Sequence, residues 1–288
     1  MKISRKDFLK GAAGATGLLL MQPAASAMAK DSQTSEGMAM LIDVTKCVSC
    51  WWCYAACKDY NNLPETGKPS LTEPPELAPS VWTTLHPVLN ENVWTSRKKA
   101  CNHCTDAACV EVCPTGALSY NDMGFVQYDK DKCSGCGYCA EFCPFGVPQM
   151  DTNKITGVAI MNKCTFCHDR VTSGEQPACA AACTTGAITY GNRADLVAEA
   201  KARVAELGQN GVQATTYGIN ELDGLHVMYV LNDSPEVYGL PAAPETPPTG
   251  IVRNVLSWLG GGLAILAVAG FGLNYLAARF RMRGGEKE

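Results

Sequence analysis

The longest apolar stretch of the chain lies near its C-terminus. Residues 255–278 carry no charged side chain and include Leu259, Leu263, Ile265, Leu266, Val268, Phe271 and Leu276. As a helix, such a run is about 36 Å long, enough to cross a hydrocarbon core of roughly 30 Å with some tilt. Trp258 and Tyr275 sit near its ends, where interfacial aromatics collect. A proline-rich linker, residues 240–254, precedes it. The period changes upstream. Residues 194–207 place Val197, Ala200, Val204 and Leu207 on one face, which predicts a helix ended by Gly208. Residues 117–120 and 125–128, joined by Asn121-Asp122-Met123-Gly124, predict a β-hairpin. Runs 81–85 and 93–97 predict another, inside an insertion over residues 58–100 that bears Pro64, Pro69, Pro74, Pro75 and Pro79.

A second, shorter apolar run follows the N-terminus. Ser4-Arg5-Lys6-Asp7-Phe8-Leu9-Lys10 leads into residues 11–21, and Ala25-Ser26-Ala27 offers a small-residue cleavage site. The run is too short to span a bilayer. Residues 1–29 are expected to be an export signal that resembles the twin-arginine type, with Lys6 in place of the second arginine; a Sec signal or an uncut basic leader is the alternative. Arg279, Arg281 and Arg283 lie beyond the C-terminal span and only Arg253 before it, so the positive-inside rule expects a cytoplasmic tail, residues 279–288. The body then lies on the outer face of the cytoplasmic membrane.

Charge narrows the classes further. The formal net charge is −4, and cleaving residues 1–27 lowers it by three more, so no basic field invites nucleic acid. The sixteen cysteines change the picture most. They fall into four groups of four: Cys47-x2-Cys50-x2-Cys53-x3-Cys57; Cys101-x2-Cys104-x4-Cys109-x3-Cys113; Cys133-x2-Cys136-x2-Cys139-x3-Cys143; and Cys164-x2-Cys167-x11-Cys179-x3-Cys183. The third is the bacterial ferredoxin run, in which three close cysteines grip one cluster and the fourth serves the other. Cys113-Pro114-Thr115-Gly116-Ala117-Leu118 and Cys183-Thr184-Thr185-Gly186-Ala187-Ile188 are near copies. Lys46, Lys132 and Lys163 each precede a first cysteine, either to offset cluster charge or as solvated surface groups.

Rival chemistries meet obstacles. Structural zinc usually takes two separated C-x2-C pairs per ion. Cys164-Thr165-Phe166-Cys167-His168 spells a c-type haem signature, yet using it strands Cys179 and Cys183, so His168 is read as an occupant of a surface turn. Cysteines three apart on a tight loop rarely meet disulfide geometry. His86, His103, His168 and His226 form no catalytic constellation, and His103 is expected to pack or face solvent. Trp51 and Trp52 are read as packing or partner contacts, with tuning of a cluster as the alternative.

The fold expected is α+β and loop-rich: two ferredoxin-like modules, each holding two 4Fe-4S clusters, over residues 38–192. A helix-and-strand extension, residues 193–239, and a single C-terminal transmembrane helix complete it. With Leu41-Ile42-Asp43-Val44, Cys143-Pro144-Phe145-Gly146-Val147-Pro148, Asp169-Arg170-Val171, residues 224–231 and Tyr238-Gly239-Leu240-Pro241, the chain resembles iron-sulfur (beta) subunits of respiratory formate dehydrogenases. These accompany molybdopterin enzymes of the dimethyl sulfoxide reductase superfamily.

That resemblance implies four 4Fe-4S clusters held by Cys47, Cys50, Cys53 and Cys183; Cys101, Cys104, Cys109 and Cys143; Cys133, Cys136, Cys139 and Cys113; and Cys164, Cys167, Cys179 and Cys57. It also implies a molybdenum or tungsten pterin catalytic partner, a membrane cytochrome b partner, contact with lipid, and no catalytic site on this chain. Thr184 departs from the proline expected after the last cysteine. The N-terminal signal departs too, and is shared instead with an iron-sulfur subunit of nickel-iron hydrogenases, the alternative partner. A zinc-stapled scaffold is the alternative of another class.

Overall fold

The computed structural model describes residues 37–90 and 93–246, with 267, 268, 270–272 and 275 beyond them. Contacts divide the chain into two units, residues 1–245 and 246–288. The expected signal and tail lie outside the described residues, as does most of the expected span, 255–278. Among the described residues no helix is long and apolar enough to cross a membrane.

The strands of the first unit are β1 (Met38–Asp43), β2 (Thr84–Asn90), β3 (Val93–Lys99), β4 (Leu118–Tyr120), β5 (Val126–Tyr128), β6 (Gln149–Thr152), β7 (Ala159–Asn162), β8 (Ile188–Asn192), β9 (Thr215–Tyr217) and β10 (Val227–Leu231). Its helices are α1 (Trp52–Tyr60), α2 (Ala108–Glu111), α3 (Tyr138–Glu141), α4 (His168–Thr172), α5 (Ala178–Ala181) and α6 (Arg193–Gln209).

One sheet organises them, in the order β8-β1-β10-β9. β1 runs parallel to β10, pairing Met40 with Val227 and Ile42 with Tyr229, and antiparallel to β8. Successive strand side chains point to opposite faces. Ala39, Leu41, Met228 and Val230 therefore meet Leu196, Ala200 and Leu207 of α6 on one face. Met40, Ile42, Val227, Tyr229 and Leu231 turn the other way, into the larger core with Phe125, Phe166 and Tyr238. Both faces are covered, which is why β1 and β10 read as apolar runs without alternation. The three remaining sheets are hairpins: β2-β3, β4-β5 and β6-β7.

The β4-β5 hairpin lies where the turn signal puts it. The β2 strand begins three residues later than its pattern suggests. Val81 is held in a separate bridge with Ala78, its N–H donating to the Ala78 carbonyl at 2.9 Å. β2 also runs through Pro87, opposite Ser96. A two-stranded ribbon has a free outer edge on each strand, where the missing N–H costs nothing. Helix α6 passes through Gly208 instead of stopping there. Its end is a Schellman turn at Gly211 (φ +76°): Val212 N–H reaches the Leu207 carbonyl at 3.0 Å and Gly211 N–H the Gly208 carbonyl at 3.1 Å. His168 opens helix α4 and does not sit in a surface turn.

Candidate metal centres

Each cysteine motif closes on a loop with a left-handed residue just before its second cysteine. These residues are Ser49 (φ +56°), His103 (φ +46°), Gly135 (φ +71°) and Phe166 (φ +61°). Alternating right- and left-handed backbone turns consecutive N–H groups into one concavity, suited to an anionic group. Donors do face the sulfurs: the Phe166 amide donates to Cys164 Sγ at 3.4 Å. Only one of the four residues is glycine. The others bear the cost of this conformation because the loop requires it.

After the loop the chain turns helical. α1 carries Cys53 and Cys57 one turn apart, a rise of about 6 Å. The other three fourth cysteines, Cys113, Cys143 and Cys183, come just past α2, α3 and α5, where Gly116, Gly146 and Gly186 reverse the backbone at φ +65°, +60° and +64°. α1 packs on α5, and α2 on α3. The result is two like modules, each with two loops and two crossing helices.

Four cavities stand between these elements. Cys47, Cys50, Cys53 and Cys183 line the first. Cys57, Cys164, Cys167 and Cys179 line the second. The third is lined by Cys113, Cys133, Cys136 and Cys139, the fourth by Cys101, Cys104, Cys109 and Cys143. Every cysteine of the chain faces one of the four. Among the described residues, no three His, Cys, Asp or Glu side chains group as a single ion requires. The quartets stand around a space instead, a donor set suited to a cube of iron and sulfide and not to one zinc ion.

Burial dominates the thiols. It pushes Cys57 up to about 12, helped by the neighbouring Cys164, and Cys167 up to about 12, again with Cys164. Cys139 rises to about 11 through burial and then Cys133. Burial alone acts upward on Cys113 and Cys133 too, yet both finish below the ordinary thiol value. Backbone hydrogen bonds at Leu118 and Thr115 hold Cys113 down, and the Tyr128 hydroxyl and Met161 backbone do so for Cys133. Thiolate is the ligand form, so cluster binding must displace these protons.

Basic side chains answer the sulfurs unequally. Lys46 and Lys132 are solvent-facing and lie 3.9 and 2.9 Å from Asp43 and Asp129. Lys163 is buried, its ammonium donating to the Cys164 carbonyl at 3.1 Å, and it lines the fourth cavity. Of the two readings for these lysines, the solvated one fits the first pair and charge offset fits Lys163. Lys98, which sequence reasoning passed over, is buried on β3, lines the first cavity and has no hydrogen-bond partner for Nζ. The run Ser96-Arg97-Lys98-Lys99 reads as a solvated strand. Its burial comes from packing no periodicity reports.

The remaining candidates resolve by position. His103 is fully buried between Phe125 and Phe166, its Nδ1 3.1 Å from the Val126 carbonyl. His168 lies edge-on to Phe125 at 6.0 Å. Trp51 packs edge-to-face on Tyr54 at 5.9 Å, while Trp52 is 59 % exposed at the mouth of the first cavity.

Comparison with known proteins points the same way. The family model described as "4Fe-4S dicluster domain" matches residues 92–193, and a second of that description matches residues 46–117. The formate dehydrogenase-O iron-sulfur subunit of Escherichia coli (strain K12) is 37% identical over 270 residues, covering 89% of this chain and 85% of its own length. The nitrate-inducible formate dehydrogenase iron-sulfur subunit of the same strain is 38% identical over 248 residues, 81% of this chain and 80% of its own. The hydrogenase-2 operon protein HybA of Escherichia coli O157:H7 is 36% identical over 222 residues, 70% of this chain and 67% of its own.

Proposed function

The chain belongs to the family of 4Fe-4S dicluster iron-sulfur subunits that includes those of formate dehydrogenases, and from that premise we propose that it relays electrons between a formate-oxidising molybdenum or tungsten pterin subunit and a membrane cytochrome b. The chain is an electron-transfer subunit with four 4Fe-4S clusters and no catalytic site of its own. When bound, the clusters supply one-electron transfer. The single observation that carries the reading is the lining of each cavity by four cysteines, three from one motif and one from another.

The ligand sets proposed are those four linings. Cys53 with Cys57 on α1, and Cys179 with Cys183 at α5, tie the first and second cavities. The pairs Cys109 with Cys113 and Cys139 with Cys143 tie the third and fourth. The protein holds the sulfurs, excludes water with Met40, Ile42, Leu85, Phe166 and Ile188, and directs amide hydrogens at the thiolates.

Membrane attachment through residues 255–278, with the cluster body on the outer face and the tail in the cytoplasm, is part of the proposal. The uncharged run and its flanking arginines support it. A nickel-iron hydrogenase partner is the second reading, favoured by the likeness to HybA and by the N-terminal signal. Purification from membranes tests both. Reduction of the clusters by formate in the isolated complex, with a pterin subunit co-purifying, is expected; reduction by hydrogen alone supports the second reading. A chain that holds far fewer than about sixteen irons, at four per cube, overturns the cluster assignment. Deleting residues 247–288 is expected to move the protein to the soluble fraction, and full retention in membranes overturns the anchor.

A further inference from the structure

We infer that two buried lysines, Lys98 and Lys163, set the reduction potentials along the relay, each serving a pair of neighbouring clusters at once. The inference rests on the ligand sets proposed above. Lys98 lies on β3 and Lys163 just after β7, so the two come from unrelated parts of the chain. Both side chains are nevertheless buried in a cavity wall, Lys98 at the first and Lys163 at the fourth.

Lys98 lines the first cavity beside Cys47, Cys50, Cys53 and Cys183. Its ammonium also acts electrostatically on Cys179 and Cys164, which line the second. It has no hydrogen-bond acceptor, although it is only 2% exposed. An unpaired buried ammonium is costly unless negative charge surrounds it, because a low-dielectric interior strips its hydration and returns nothing. The charge available is that of the sulfurs, and of the anionic clusters they hold. Lys163 is buried too, but its ammonium is paired, donating to the Cys164 carbonyl at 3.1 Å and the Val126 carbonyl at 3.4 Å. It lines the fourth cavity and acts on Cys101, Cys109 and Cys143 there, and on Cys164 of the second. Neither lysine stands in the wall of the second cavity, but both act on its Cys164, and Lys163 also donates to the Cys164 carbonyl. The third, lined by Cys113, Cys133, Cys136 and Cys139, has neither in its wall and neither acting on Cys113, Cys133 or Cys139.

Adding an electron to a cluster makes it more negative. A fixed cation nearby favours the reduced form and raises the potential, and local charge is among the levers that set it. The lysines exchange no electron and break no bond. They are positioning residues that act by charge alone. The pattern expected is graded: the second cluster is held up by both lysines, the first and fourth by one each, and the third by neither.

The test uses the full chain, purified anaerobically and titrated potentiometrically with spin-resonance detection of each cluster. Iron content is measured first, since about sixteen irons with intact spectra check the ligand sets separately from the lysines. Lys98→Met keeps length and apolar bulk while removing charge. It is expected to lower two cluster potentials by at least tenfold in electron equilibrium, about 59 mV each for one electron, and to leave the third cluster unmoved. Lys163→Met is expected to lower two potentials also, sharing one cluster with the Lys98 effect. Lys98→Arg restores the charge and is expected to bring the potentials back. Unchanged potentials in both Met variants with full iron overturn the inference. So does a uniform shift of all four, or loss of clusters in both Met variants that the Arg variants repair, which makes the charge a requirement of assembly instead.

Discussion

Gly135→Ala offers a direct test of how tightly the cluster loops are built. Gly135 stands between Cys133 and Cys136 at φ +71°, where a side chain costs roughly 1–2 kcal/mol. A β-carbon there lies 2.2 Å from the Ala159 carbonyl oxygen and 2.9 Å from its carbon. Those are backbone atoms of β7, fixed because Ala159 pairs with Thr152 in the β6-β7 ladder. Relief requires the Cys133 loop to move away from β7, and overpacking of this kind adds about 1–3 kcal/mol. The total is about 2–5 kcal/mol, concentrated on the loop that holds three ligands of the third cavity. Gly137→Ala is the matched control. It sits two residues on at φ +80°, but its β-carbon meets nothing within 4 Å. Only the conformational term applies, so the two variants differ by about 1–3 kcal/mol. The assay is iron and sulfide content after anaerobic purification, followed by the thermal midpoint. Gly135→Ala is expected to lose about four of sixteen irons and to melt earlier. Gly137→Ala is expected to keep them all. Equal iron and equal midpoints in the two variants would refute the reasoning.

Other consequences are smaller or more diffuse. Asp43→Ala removes a buried carboxylate that accepts from Thr45 N at 2.9 Å, Thr45 Oγ1 at 2.6 Å and Arg203 Nε at 2.9 Å, just ahead of the Cys47 loop. It is expected to cost about 1.5–3 kcal/mol in denaturant unfolding. Asp129→Ala, at the corresponding turn before Cys133, removes an exposed cap to Asp131 N at 3.1 Å and an exposed pair with Lys132 at 2.9 Å, and is expected to cost clearly less because water screens both; equal losses count against this account. Burial holds the His226 imidazole below its ordinary 6.5. The unfolded chain then binds a proton near that pH that the folded chain refuses, so the stability it contributes is complete above 6.5 and declines as pH falls below it. His226→Gln is expected to flatten the thermal midpoint between about pH 7 and 5.5 relative to the unsubstituted protein. Cys136→Ala is expected to remove about four irons and leave the other three clusters in place. Retention of all sixteen contradicts its place in the third set.

The chemistry was more legible in the sequence than the architecture. Three of the third cube's four thiolates come from one tight loop, so the spacing of Cys133, Cys136 and Cys139 states the cofactor locally. Elements set by local turn chemistry were legible for the same reason, as with the Asn121–Gly124 hairpin. What was hidden depends on contacts made at a distance. Lys98 reads as a surface residue because nothing in Ser96-Arg97-Lys98-Lys99 reveals that a cavity wall lies on one side and Tyr238 on the other, whose carbonyl accepts from Arg97 Nε at 2.6 Å. The periodic face ends at Leu207, so Gly208 reads as the stop, and only the geometry at Gly211, with Val212 N–H folded back onto Leu207, shows where the helix ends. The parallel pairing of β1 with β10 is invisible to any short window, since almost the whole folded unit intervenes.

That pairing explains why the two modules need different support. In the inner module, the third and fourth cavities draw on motifs that follow one another, so the chain closes over a few tens of residues. In the outer module, Cys183 must return to the Cys47 loop and Cys57 must reach Cys164, each across more than a hundred. Closing a loop several times longer costs on the order of 1–2 kcal/mol more in chain entropy, before any contact is made. β1 offsets it. This strand leads directly into the Cys47 loop, and β8 leaves directly from Cys183 through Gly186, so the antiparallel pairing of Ile42 with Ile188 clamps both ends of the first cavity. β10 then pairs with the other edge of β1, and α6 covers one face of the sheet they form. The helix-and-strand segment after residue 192 thus belongs to the metal centre in a physical sense, because it holds together the one module whose cysteines sequence neighbourhood cannot.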